Sequence, residues 1–206
     1  MKNYFVTGIG TGIGKTIVSA ILTEALEADY WKPIQAGNLD NTDTDVIKFS
    51  VSNTQSKFHP ETFKLTQALS PHAAANIDGI EINIDDIILP RTNNNLIIEG
   101  AGGLMVPINN KGDLVIDLIK KLNAPVILVS KNYLGSINHT LLSIEALKNR
   151  NIPIAGIVFN GEDEFNGEEF ILKYSQLKCF ARIKSEDKIN KETVLKYKNN
   201  LNHVGT

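Results

Sequence analysis

The chain has 206 residues, 42% of them hydrophobic and 21% charged, with a formal net charge of −2, which suits one soluble domain with a full core. So small a charge gives no general polyanion-binding field, which excludes a nucleic-acid partner. Its single cysteine, Cys179, excludes an internal disulfide framework and a cysteine-based metal site. No apolar run reaches the roughly 18 residues of a membrane span. The sequence passes directly into strand-like Tyr4-Phe5-Val6, so no signal peptide and a cytoplasmic location are expected.

In chain order, apolar β-rich segments fall at 4–7, 29–31, 96–98, 125–129 and 154–159. Helix-like stretches fall between them at 15–27, 44–52, 113–121 and 137–150. Continuous apolar strands alternating with helices predict an α/β fold: a mostly parallel sheet flanked by helices on both faces. No repeat or linker divides the chain, so one domain over 1–206 is expected. Residues 53–60 and the last twenty read as loops or surface helix. Ligands of such sheets gather at the loops after the strands' C-terminal ends, and the strongest motifs lie there.

The first strand runs into Gly8-Ile9-Gly10-Thr11-Gly12-Ile13-Gly14-Lys15-Thr16, with a helix following. Glycines let successive N–H groups turn inward around a phosphate, and the helix N-terminus adds its dipole. Lys15 then reaches the β- and γ-phosphates, while the Thr16 hydroxyl binds Mg²⁺. This predicts a P-loop NTPase-like three-layer domain, although five residues rather than four separate Gly8 from Gly14. The same stretch also fits the TGxxxGIG pattern of NAD(P)-dependent short-chain dehydrogenases, and Tyr174 and Lys178 repeat that family's YxxxK spacing. That reading leaves Lys15-Thr16 without a role. A nucleotide-binding module without catalysis is the other alternative.

Four further segments follow in order. They are Trp31-Lys32-Pro33-Ile34-Gln35-Ala36-Gly37, Asp43-Thr44-Asp45, Ile98-Glu99-Gly100-Ala101-Gly102-Gly103 and Leu134-Gly135-Ser136-Ile137-Asn138-His139. With the glycine loop and Ser70-Pro71-His72, this order resembles dethiobiotin synthetase from about Tyr4 to Asn160, and the five-residue spacing is that family's own form. The resemblance implies closure of the ureido ring on 7,8-diaminopelargonic acid with CO₂ and ATP, through a carbamate and a carbamic-phosphoric anhydride. No enzyme nucleophile is required, so catalysis rests on positioning and charge stabilisation.

The resemblance also implies the site. Lys32, Lys15 and Thr11 are the catalytic candidates, and Gly12, Ile13, Gly14, Lys15, Thr16 and Ile17 hold the nucleotide with Gly100, Ala101, Gly102 and Asn160. Thr16, Asp45 and Glu99 are the Mg²⁺ ligands, with a helix N-cap as the lesser alternative for Asp45. Substrate contacts fall to Lys32, Ala36, Gly135, Ser136 and Asn138, the last three from the partner subunit of a homodimer. His72 and His139 accompany the motifs without metal-ligand spacing, and His139 reads as structural. Two departures stand out. Ala36 replaces the family's usual Ser or Thr, and Arg182-Ile183-Lys184-Ser185 lacks the proline and aromatic usual beside the base. A partitioning ATPase would carry a second lysine where Gly10 stands, and a cobyrinic acid synthase would need an amidotransferase domain with a nucleophilic cysteine.

Overall fold

The computed structural model describes residues 1–163 and 166–201. Strand β1 (Asn3–Gly8) lies at the centre of a seven-stranded parallel sheet, between β6 (Leu96–Gly103) and β7 (Val126–Lys131). Beyond β6 come β2 (Asp29–Trp31) and the edge strand β4 (Phe58–His59). Beyond β7 come β8 (Ile154–Asn160) and the other edge, β9 (Cys179–Ile183). A separate parallel pair, β3 (Ile34–Ala36) and β5 (Phe63–Leu65), stands apart from this sheet.

Alternate side chains of the strands enter two cores, as period-two geometry requires. Tyr4, Val6, Tyr30, Ile97 and Val129 pack beneath α1 (Lys15–Ala25), α2 (Asp43–Ser50) and α7 (Lys191–Lys198). Phe5, Trp31, Ile98, Leu128 and Phe159 pack on the other face. There they meet α3 (Pro71–Asp78), α4 (Val115–Leu122), α5 (Ser136–Asn149) and α6 (Gly167–Ser175). Burial on both faces is why the central strands carry unbroken apolar runs. The predicted three-layer α/β fold is therefore present, and each predicted strand and helix has its counterpart.

Residues 53–60 are not all loop, because Phe58–His59 form the edge strand β4. The last twenty residues contain α7, whose Val194 and Tyr197 are buried rather than superficial; residues 202–206 of that stretch lie outside the described residues. Sequence reading also gave no element at β3, β5, α3, α6 or β9.

One buried carboxylate fastens α1 to its surroundings. Glu24, 1% exposed, accepts from the backbone N–H groups of Ser52 and Asn53 at 2.7 and 3.0 Å and from Lys198 Nζ at 3.1 Å. Burial alone would raise its pKa, but these donors together lower it from 4.5 to about 2. A depressed carboxylate contributes stability that is fully present above the unfolded value and fades as pH falls toward the folded one. The shift corresponds to roughly 3 kcal/mol. Glu24→Gln is therefore expected to lower stability clearly at neutral pH, with the gap to wild type closing as pH falls from 4.5 toward 2. Urea unfolding across that range measures it, and a gap independent of pH would refute the assignment.

Candidate active site

A cleft of about 700 Å³ opens at the C-terminal ends of β1, β2 and β6, where the P-loop, the β3–β5 pair and the start of α2 meet. Thr11, Gly12, Gly14, Lys15, Thr16 and Ile17 line it from the P-loop side. Gly14 has φ +95°, a left-handed conformation that disfavours side chains. A Cβ there would also lie 2.2 Å from Asn160 Nδ2. The close approach follows from a cross-tie in which Asn160 donates to the Ile13 carbonyl at 2.9 Å. No side chain caps α1, so its first N–H groups remain available to an anion. Lys15, 8% exposed, donates to the Gly10 carbonyl at 3.1 Å. Burial lowers its pKa, opposed by Glu99.

Opposite the P-loop is a charged cluster. Lys32 leaves the end of β2, and its Nζ pairs with Asp43 Oδ2 and, at 3.2 Å, with Glu99 Oε1. Glu99, 1% exposed, also accepts from Thr16 Oγ1 and from Tyr30 Oη, each at 3.0 Å. Burial works against a charge on Lys32, but Glu99 and then Asp43 outweigh it and hold the ammonium above the ordinary lysine range. Lys32 is therefore a buried, paired cation and not a solvated surface lysine. Gln35, also buried in the cleft, fixes the turn into α2: its Nε2 donates to the Gly37 carbonyl at 2.8 Å and its Oε1 accepts from Asp43 N at 3.4 Å.

Asp45, expected as a metal ligand, does not line the cleft. It is exposed, and its Oδ2 accepts from Thr42 N and Thr42 Oγ1 at 3.0 and 2.7 Å while Thr42 Oγ1 accepts from Asp45 N, completing a capping box. The Thr42 hydroxyl and backbone bonds depress its pKa. Asp43, two residues earlier, turns into the cleft instead. A helix start spaces these carboxylates about 200° apart around the axis, so only one of them can face the cleft. Asp43→Asn is expected to reduce ATP turnover about a hundredfold or more. Asp45→Asn should cost about 1 kcal/mol of stability as a weakened cap and leave turnover within a few-fold. Steady-state rates and thermal unfolding of the two variants decide it, and the opposite ranking would return the role to Asp45.

The remaining expected residues divide. Ala36, Ala101 and Gly102 line the cleft, together with Asn38, Ser70 and Pro71. Ile13 and Gly100 are buried in the scaffold, with Gly100 against Phe5. Asn160 braces the P-loop from beneath. Gly135, Ser136 and Asn138 open α5 at a distance from the cleft lining, with Ser136 buried and Asn138 exposed. His139 is held by the Tyr133 hydroxyl at 2.7 Å, a structural pairing, and His72 by Ser70 Oγ at 3.0 Å. Ile189 reaches the cleft from the loop after β9 and, like Tyr30, Gln35 and Asp43, was not singled out by the sequence. The alternation of a strand could have found Tyr30, which shares a face with Lys32.

Tyr174 and Lys178 do not share a helix, since α6 ends at Ser175 and Gln176 adopts φ +57°. Both are exposed and outside the cleft, which removes the active-site pair of the dehydrogenase reading. A second hollow of about 690 Å³ is lined by Glu162, Glu168, Arg182 and Lys184, side chains of both charges.

A family model described as an AAA domain matches residues 2–193. An ATP-dependent dethiobiotin synthetase BioD of Cytophaga hutchinsonii is 54% identical over 198 residues, covering 96% of this chain and 95% of that protein. The chain belongs to the dethiobiotin synthetase family. A second member, the protein of that name from Christiangramia forsetii, is 54% identical over 196 residues, covering 95% and 94% of the two chains. The chain is thus an ATP-dependent enzyme on a P-loop framework. Among solved structures, a ParA family ATPase from Chlorobium tepidum superposes with a TM-score of 0.58 at 13% identity, covering 95% of this chain and 89% of that one. That likeness extends to the fold alone. Among the described residues no helix is long and apolar enough to cross a membrane.

Proposed function

We propose that this chain, as one P-loop α/β domain, closes the ureido ring of dethiobiotin from 7,8-diaminopelargonic acid, CO₂ and ATP, releasing ADP and phosphate. The observation that carries the reading is the meeting of Lys15, Thr16, Lys32, Asp43 and Glu99 in one cleft beside the P-loop, two cations, two carboxylates and a hydroxyl. A substrate amine adds to CO₂ and loses a proton, giving a carbamate. The carbamate oxygen attacks the γ-phosphorus and ADP departs, leaving the mixed anhydride. The second amine attacks the anhydride carbon, closes the ring and expels phosphate. Lys15 and the free N–H groups of α1 hold the phosphates, Thr11 and Gly12 cover them, and Lys32 balances charge developing between carbamate and phosphorus.

The donor set fits Mg²⁺. Thr16, Asp43 and Glu99 present hard oxygen atoms, and among the described residues no cluster of three or more His, Cys, Asp or Glu offers a fuller protein cage. Mg²⁺ takes few protein ligands and keeps water and phosphate oxygens. When bound it supplies neutralisation of charge on the β- and γ-phosphates.

The aliphatic carboxylate end of the diamine needs an anion site far from the P-loop. The start of α5 lacks a side-chain cap, and exposed Leu134, Leu142 and Met105 offer an apolar face that a second copy would cover. In the proposed homodimer, Gly135, Ser136 and Asn138 therefore serve the partner's cleft. The test is an assay of ADP release with and without diamine and bicarbonate, with the product identified by mass. Release that ignores the diamine would overturn the synthetase reading. Asn138→Ala in the same assay is expected to raise the diamine KM and spare the ATP KM. A fully active monomer in sedimentation would end the shared-site part.

A further inference from the structure

The Glu99 carboxylate is held from both sides, and the donor on its buried side belongs to none of the motifs that identify the family. Tyr30 lies in β2 beside Ile97 of β6, two positions before Lys32 and on the same face of the sheet. Two residues of strand advance about 6.6 Å, the reach of a tyrosine side chain, which carries its hydroxyl to the level of Glu99. The ring is completely buried and leans on Phe58 at a centroid distance of 6.5 Å. Packing alone would be served equally well by phenylalanine. A hydroxyl placed there costs free energy unless it is bonded, and it donates to Glu99 Oε2 at 3.0 Å.

This bond divides the carboxylate into two unequal oxygens. Oε2 faces the core and is engaged by Tyr30, whereas Oε1 faces the cleft, where Thr16 and Lys32 meet it at 3.0 and 3.2 Å. With Oε2 pinned, the carboxylate plane cannot rotate to offer both oxygens to a cation. We infer that Tyr30 is a positioning residue that fixes Glu99 to bind the nucleotide's divalent metal through Oε1 alone. The inference rests on the proposed metal role of Glu99. Partners that orient a metal ligand in this way are worth about 10- to 100-fold in metal affinity.

Tyr30→Phe keeps the ring and removes only the hydroxyl. The reading is the metal-dependent gain in affinity for a non-hydrolysable ATP analogue, taken as the ratio of its Kd without and with saturating Mg²⁺ by calorimetry. Tyr30→Phe is expected to shrink this gain about tenfold or more and to leave the metal-free Kd within about twofold, a pattern that general loosening of the core would not produce. The Mg²⁺-dependent rise in Tm with the analogue bound gives the same comparison in a second measurement and shows that the variant is folded. Glu99→Gln is the control, expected to abolish the gain, and in its background Tyr30→Phe should have no further effect. A full gain in Tyr30→Phe beside a lost gain in Glu99→Gln overturns the role of Tyr30 and leaves the metal assignment standing. A full gain in Glu99→Gln overturns both.

Discussion

Lys15→Ala is expected to lower ATP turnover by roughly a hundredfold or more, the equivalent of about 3 kcal/mol in transition-state stabilisation. The ammonium of Lys15 lies at the N-terminus of α1, among N–H groups that no side chain caps, so it forms the strongest part of a cradle for phosphate. Charge-assisted bonds exceed neutral ones about twofold in strength, and here burial has already removed most of the competing water. Among the described residues the side chain makes one hydrogen bond, to the Gly10 carbonyl at 3.1 Å. The substitution should therefore leave the fold nearly as stable as before. Nucleotide titration and thermal unfolding together test this. Unchanged ATP affinity in a folded variant would remove the P-loop assignment.

Lys32→Ala separates positioning of the phosphates from the chemistry. Its ammonium neutralises Asp43 and Glu99 at once, so truncation leaves two carboxylates facing each other across a buried cleft. Losing one member of a buried ion pair commonly costs about 3–5 kcal/mol, and the ligand-free variant should melt well below wild type. Mg²⁺ arriving with ATP would offset the repulsion if Asp43 and Glu99 hold it, and is expected to recover much of that loss. Binding of Mg-ATP should thus survive while ring closure falls about a hundredfold or more, because charge developing during transfer is no longer matched. Equal losses in nucleotide binding and turnover would make Lys32 part of the nucleotide pocket. Normal turnover would leave it a purely structural cation.

The sequence made the long parallel strands and the P-loop legible for a common reason. Strands buried on both faces must be apolar at every position, and a phosphate cradle must spend glycines at particular backbone conformations, as at Gly14. β3, β5 and β9 carry no such signature. Gln35 and Lys64 interrupt the short paired strands, and Arg182 emerges from edge strand β9, where one side needs no apolar partner. The site followed the same division. Lys32 and Glu99 could be placed from strand ends, but choosing between Asp43 and Asp45 depended on the phase of α2, which Thr42 sets by capping. Tyr30 was easy to pass over because a tyrosine in an apolar run reads as core; its place on the face of Lys32 was the available signal, and its hydroxyl contact with Glu99 shows its part in the site.

The central place of β1 has a consequence for how the chain is made. Its partners begin only at Leu96 and Val126, so the central strand leaves the ribosome long before either neighbour exists. Pairings this distant in sequence carry a large loop-closure cost and slow the search for the native sheet. During synthesis β1 and the P-loop wait unpaired until β6 has emerged, and one edge of β1 stays open until β7 follows, exposed to association with other nascent chains. The strand that begins the candidate site is thus secured on both sides only after β6 and β7 have both been made.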